Sequence, residues 1–175
     1  SAGISMQAAI KEGGLGLIFN NLIYGNGFNG IRMLASDKIP IYFNTIQIND
    51  GSSPDHYPIY LYSSDSNTIM NNHLISMVGT PSLYGSQAYN NIVDNNNYYS
   101  TGSYLADWNG TKISNISTIS SYIPSDIHSM SFDPLFFNDT IFKPYNSNVL
   151  NNGQFITDIL YDFEDNLRDT LTPDI

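Results

Sequence analysis

Apolar and polar residues alternate in short runs that recur along the first half of the chain. Gly3-Ile4-Ser5-Met6, Gly30-Ile31-Arg32-Met33 and Pro58-Ile59-Tyr60-Leu61 share one pattern, with steps of 27 and 28 residues. Ser82-Leu83-Tyr84 offers a weaker fourth copy about 24 residues on. Period-2 alternation predicts strands with Ile4 and Met6, Ile31 and Met33, and Ile59 and Leu61 facing inward. A second pattern, apolar-x-Asn-Asn-x-apolar, appears at Ile18-Phe19-Asn20-Asn21-Leu22-Ile23 and at Ile69-Met70-Asn71-Asn72-His73-Leu74. Ile41-Tyr42-Phe43-Asn44-Thr45-Ile46 is a variant in which Phe replaces the first Asn. The second Asn falls at Asn21, Asn44 and Asn72. In two consecutive units it follows the strand Ile by the same 13 residues.

Repeats of this length predict a solenoid. One coil of a few short strands cannot bury its inner face, but stacked coils share a core. An Asn at the same turn of each coil can bond to the Asn or backbone above and below. Each such bond contributes only about 0.5–1.5 kcal/mol; the cost of burying that turn without partners is what favours Asn there. After residue 80 two registers stay open. Asn91 fits the Asn-Asn template, and Asn96 fits the 13-residue offset from Leu83. A β-sandwich is the alternative reading of the strands. It would need antiparallel hairpins with tight turns, and the long steps argue against it.

Composition changes this picture little. Of 175 residues 41% are apolar, so the chain can build a core, and only 13% are charged. Asparagine is abundant, with 22 copies, as suits stacked turns. The net charge of -10 argues against nucleic acid and against an anionic membrane surface. There is no Cys, hence no disulfide and no thiolate metal site. No run approaches the length of a membrane helix, and no signal peptide is visible.

The later half carries a resemblance. Asp94-Asn95-Asn96-Asn97-Tyr98-Tyr99-Ser100, Ala106-Asp107-Trp108-Asn109-Gly110, Asp126-Ile127-His128-Ser129 and Asp133-Pro134-Leu135-Phe136 follow one another, and Asp162-x-x-x-Asn166-x-Arg168 precedes Pro173-Asp174-Ile175. With the Asn-Asn repeats, this order resembles the C-terminal portion of bacterial right-handed parallel β-helix repeat proteins of the pectate-lyase-like superfamily. The resemblance implies an all-β fold, a right-handed parallel β-helix of a few coils with an irregular C-terminal cap, as one segment of a larger parent. Coils are expected over residues 1–100, a polar excursion packing Trp108 on the stack over 101–130, and the cap over 131–175. Phe132, Leu135, Phe136, Phe137, Ile141 and Phe142 supply the cap's apolar face. The turn-rich Asp50–Asp55 segment reads as a projecting loop. Family members include polysaccharide lyases, glycoside hydrolases, epimerases and surface proteins without assigned activity, so the fold does not settle function. The resemblance also implies a secreted or cell-surface location.

Ligands of such folds commonly lie along the outer face of one strand stack. Alternation puts Ser5, Arg32 and Tyr60 outward in neighbouring coils, followed by Gln7, Leu34 and Tyr62. Arg32, Tyr60, Tyr62 and His56 are therefore the candidate substrate-binding residues. A guanidinium fork suits a sugar carboxylate, and a Tyr ring offers a flat apolar face. The competing reading is that Arg32 and Tyr60 merely stack on a solvated sheet. His56, His73 and His128 are the acid–base candidates by chemistry. His73 sits in an Asn-Asn turn and His128 in the Asp-Ile-His-Ser segment, which favours structural roles; His56 lies in the loop before the Ile59 strand, within reach of the Arg32–Tyr60 face. No catalytic residue is assigned. Lys38 lies near Arg32 in sequence, and Asp37 and Asp65 are the nearest acids. Asp55 can also meet Asp65 in space, but no acid cluster has Ca²⁺-loop spacing, so no cofactor or metal is indicated. Gly13-Gly14-x-Gly16 lacks the strand and helix context of a nucleotide loop. Asn109, Asn115 and Asn138 begin glycosylation-acceptor triplets of the kind that arise by chance in so Asn-rich a chain.

Two functions follow. One is a carbohydrate-binding or polysaccharide-processing segment, a lyase or glycoside hydrolase if catalytic, with polysaccharide or cell-surface glycan as partner. The other is a non-catalytic surface scaffold or adhesin. Convergent Arg, acid and aromatic groups on the outer column favour the first; a flat Asn/Ser/Thr surface favours the second. The sequence does not set the oligomeric state.

Overall fold

The computed structural model describes residues 2–8, 16–51, 55–136 and 142–175. Parts of the Asp50–Asp55 loop, the Gly13-Gly14 pair, Phe137, Ile141 and the Asn138 triplet lie outside these residues. The chain winds through four coils of three strands. The first holds β1 (Ile4–Gln7), β2 (Ile18–Phe19) and β3 (Leu22–Ile23). The second holds β4 (Ile31–Leu34), β5 (Pro40–Tyr42) and β6 (Thr45–Ile48). The third holds β7 (Ile59–Tyr62), β8 (Thr68–Met70) and β9 (His73–Ser76). The fourth holds β10 (Leu83–Ser86), β11 (Ile92–Asp94) and β12 (Asn97–Ser100). A further strand β13 (Ala106–Trp108), its hairpin partner β14 (Thr111–Ile113) and a 3-10 turn (Ile116–Ser121) follow.

Equivalent strands stack into three parallel sheets, β1-β4-β7-β10-β13-β14, β2-β5-β8-β11 and β3-β6-β9-β12; only the β13–β14 pair is antiparallel among them. The register is the one alternation predicts. Ile4, Ile31, Ile59 and Leu83 are successive Cα partners. Ile31, Ile41, Ile46, Ile59, Ile69, Leu74 and Leu83 have no exposed surface and form one core. Parallel pairing excludes the sandwich. Among the described residues no helix is long and apolar enough to cross a membrane.

Asparagine amides line the corner between the second and third sheets. Asn21 Nδ2 donates to Asn44 Oδ1 at 2.9 Å, Asn44 Nδ2 to Asn72 Oδ1 at 2.9 Å, and Asn72 Nδ2 to Asn96 Oδ1 at 3.0 Å. Ser129 Oγ ends the ladder by accepting the Asn96 N–H at 2.8 Å. Asn96 thus takes the main ladder. Asn91 belongs to a second ladder at the preceding corner, where it accepts from Asn67 Nδ2 at 3.0 Å. The residue before each main-ladder Asn adopts left-handed φ: Asn20 (53°), Phe43 (53°), Asn71 (58°) and Asn95 (52°). Asn tolerates this conformation because its short amide bonds locally.

Residues 106–108, expected within an excursion, form a fifth strand of the first sheet, and Trp108 points into the core. The hairpin turns at Asn109 (φ 49°) and Gly110 (φ 86°), the pair that a tight two-residue turn demands. Ile113, Ile119 and Ile123 join the core and cover the end of the stack. Residues 142–174 are irregular, and much of this segment lies along the flank of the coils.

Candidate functional site

In-register stacking decides which side chains share the outer face of the first sheet. Ser5, Arg32, Tyr60, Tyr84 and Asp107 are successive partners, and Lys112 faces Asp107 from β14. Strands lie about 4.8 Å apart, so rings at one register can stack. Tyr60 and Tyr84 do so, with centroids 4.9 Å apart and planes within 7°. Tyr57, in the turn entering β7, joins the stack 4.7 Å from Tyr84 and 6.0 Å from Tyr60. The Arg32 guanidinium lies 5.8 Å from the Tyr60 centroid, and Lys112 lies 5.2 Å from that of Tyr104. Gln7, Leu34, Tyr62 and Ser86 form the next outward column, with Tyr62 exposed.

Burial holds the Tyr57 and Tyr60 phenols in the neutral form. Burial, followed by the nearby Asp55 carboxylate, pushes the Tyr57 hydroxyl up to about 12. Burial and then Tyr84 raise Tyr60, opposed by Arg32. The rings spend their faces on one another, which leaves edges and hydroxyls for a ligand. Arg32 stands before the ring stack in the column, and Asp107 and then Lys112 follow it. The arrangement can hydrogen-bond a hydroxylated chain and pair with a carboxylate.

Arg32, Tyr60 and Tyr62 therefore stand together on the outer face. His56 does not, and the expectation that it reaches this face is corrected. Its side chain is fully buried; Nδ1 contacts the Asp50 carbonyl, and the ring meets Phe28 edge-on at 5.3 Å. Thr80 Oγ1 donates to its carbonyl. The turn tucks the imidazole inward, and a ring with no exposed surface cannot touch a ligand outside. Asp37 serves the stack as well: its Oδ1 accepts the Asp65 N–H at 2.7 Å. Among the described residues no group of three or more His, Asp or Glu is arranged to hold a metal ion.

Of the other two histidines, His73 belongs to β9 in the third sheet and His128 to the irregular segment after the 3-10 turn. His128 is exposed, and its Nδ1 lies 2.7 Å from Asp94 Oδ2 while Asp94 Oδ1 accepts the His128 N–H at 2.7 Å. His73 is buried, with Asn97 Nδ2 3.5 Å from its Nδ1, and burial lowers its pKa from 6.5 to about 4. Asp126 is buried too and accepts the Tyr98 hydroxyl at 2.7 Å; burial raises its pKa from 3.8 to about 6, with Asp94 adding to the rise against the hydrogen bonds of Ser129 and Tyr98.

These two buried groups oppose each other in pH. Between about 4 and 6.5 the unfolded chain holds more protons at His73 than the fold does, so this group makes stability rise with pH. Between 3.8 and about 6 the fold holds more protons at Asp126, so that group makes stability fall with pH. Each effect is about 3 kcal/mol across its window. We expect urea melts of His73→Gln to lose stability from pH 4 to 6 relative to the parent, and those of Asp126→Asn to gain it. Parallel pH profiles in both variants would contradict the assignment.

Sequence reasoning missed Tyr84, Tyr57, Asp107 and Lys112. Tyr84 was within reach, since it occupies the Tyr60 position of the weaker fourth copy. Tyr57 lies in a turn and leaves no periodic trace. The larger of the two cavities described, about 230 Å³, lies away from this face, among Asn20, Leu22, Phe43, Phe142 and Phe163.

No curated protein and no solved structure matches the chain. A family model described as a right handed beta helix region matches residues 3–123, from the first strand to the residues that cover the last coil. With more than half its length matched and its strands stacked in parallel register, the chain belongs to the right-handed β-helix family.

Proposed function

We propose that this chain binds an extended glycan along the outer face of its first sheet, as a carbohydrate-contacting part of a secreted or cell-surface protein. The observation that carries this reading is the in-register column Arg32–Tyr60–Tyr84–Asp107. It offers one polar or aromatic group per coil, at about 4.8 Å intervals, close to the advance of one pyranose along an extended chain. Arg32 suits a uronate by forked charge-assisted hydrogen bonds. The net charge of -10 disfavours a dense polyanion, so the fitting ligand is a glycan with sparse carboxylates. A scaffold role is the competing reading. It is favoured by the rings burying their faces against one another.

Calorimetric titration with short uronate-containing oligosaccharides and with neutral ones of equal length tests the proposal. The expected result is binding of the uronate series, weakened roughly tenfold or more in Arg32→Ala, with neutral binding little changed. Melting curves check that the variant is folded. Absence of binding to both series, or equal affinity in Arg32→Ala, supports the scaffold reading instead.

A further inference from the structure

The left-handed residues at the second corner point their side chains out of the stack, and the C-terminal segment takes hold of them. Asn95 Nδ2 donates to the Asn152 carbonyl at 3.2 Å. Asn71 exchanges two bonds with the Gln154 backbone, at 2.7 and 2.8 Å. Asn20 Nδ2 donates to the Tyr161 carbonyl at 2.8 Å. Residues 152–161 thus run from the fourth coil to the first. The chain then turns: Asp162 accepts the N–H groups of Glu164 and Asn166 at 2.8 and 2.9 Å, and Tyr161 bridges Leu167 antiparallel. On the return leg Arg168 Nη2 donates to Asn20 Oδ1 at 2.8 Å, and its guanidinium lies 3.7 Å from the Phe43 ring centroid. The legs close where Gly153 N–H meets the Pro173 carbonyl and Asn151 N–H meets Asp174 Oδ1, each at 2.8 Å.

We infer that residues 151–174 act as a longitudinal staple that ties the first coil to the fourth and makes the stack open as one unit. In an ordinary solenoid each repeat touches only its neighbours, so the ends fray first. Among the described residues the strands of the first coil pair with the second coil alone, and Ile4 and Met6 are half-buried where Ile31 and Met33 are fully covered. The staple gives this coil partners that are themselves anchored on the third and fourth coils. Phe43 fits the scheme: a bulky residue at positive φ is an outlier, and here its ring lies under Arg168.

Native-state hydrogen exchange on the whole chain tests the inference. The amides of Ile4 and Asn20 bond to Gly30 and Tyr42 and report on the first coil; those of His73 and Asn97 bond to Asn44 and Asn72 and report on later ones. In Arg168→Ala the first pair is expected to exchange on the order of tenfold faster, with the second pair little changed. Asn20→Gly removes both bonds of the staple to the first coil while keeping a residue at ease at positive φ, and is expected to give the same selective loosening. Equal acceleration at all four amides in either variant, or none in both, overturns the staple. If Arg168→Ala does not fold, Asn20→Gly decides alone.

Discussion

Asn72→Ala is expected to destabilise the protein by about 4 kcal/mol, seen in urea melts followed by circular dichroism. Asn72 is fully buried at the middle of the main ladder. Its amide donates to the carbonyls of Ile41 and Met70 at 2.9 Å and to Asn96 Oδ1 at 3.0 Å. Its Oδ1 accepts the backbone N–H of Asn44 at 3.0 Å and the Asn44 amide at 2.9 Å. Alanine would strand several of these groups away from water, at about 1–3 kcal/mol for each group left unpaired. The side chain of Asn21, at the partly exposed end of the same ladder, donates to the Phe19 carbonyl and to Asn44 Oδ1, each at 2.9 Å. Asn21→Ala should therefore cost about 1 kcal/mol, since water can replace its partners. Equal losses at the two positions would mean that burial of unpaired groups is not what the ladder prevents.

Trp108→Ala should cost a comparable amount, about 4 kcal/mol, measured the same way. The inward column Met6, Met33, Leu61 continues through Gly85 to Trp108. Gly85 is small because the indole occupies its space. A Cβ there would lie 2.5 Å from two ring atoms of Trp108. Gly85→Ala is accordingly expected to cost about 1–3 kcal/mol by overpacking. Gly85→Leu combined with Trp108→Ala should recover part of the loss, because it restores to the fourth coil the side chain that Leu61 supplies in the third. Residues in contact are not additive; a double variant whose loss equals the sum of the single losses would contradict this packing.

Much of this architecture was legible from residue spacing. Steps of 27 and 28 residues between Ile4, Ile31 and Ile59 identified three partners of one sheet, because a solenoid gives equivalent residues equivalent surroundings. The 13-residue offset from strand to Asn placed Asn44 and Asn72 on one corner for the same reason. Of the candidate site, Arg32, Tyr60 and Tyr62 followed from alternation alone. His56 failed because it lies in a turn, where no period says whether a side chain points in or out. Asn91 and Asn96 could not be separated, since each fits a corner and the fold has two Asn corners.

What the sequence determined by itself is the repeating part: the inner aliphatic columns, the outer column with Arg32 and Tyr60, and the buried amides at a corner. Each coil poses the same physical problem, so the answer recurs at a readable interval. Tertiary structure alone decided the rest: Tyr57 in the ring stack, Trp108 filling the space over Gly85, Asp94 held against His128, and the closing segment laid along the flank. Contacts such as Asn71 with Gln154, 83 residues apart, or Asn20 with Arg168, 148 apart, occur once. A contact made once between distant residues has no period, and only the folded chain brings its partners together.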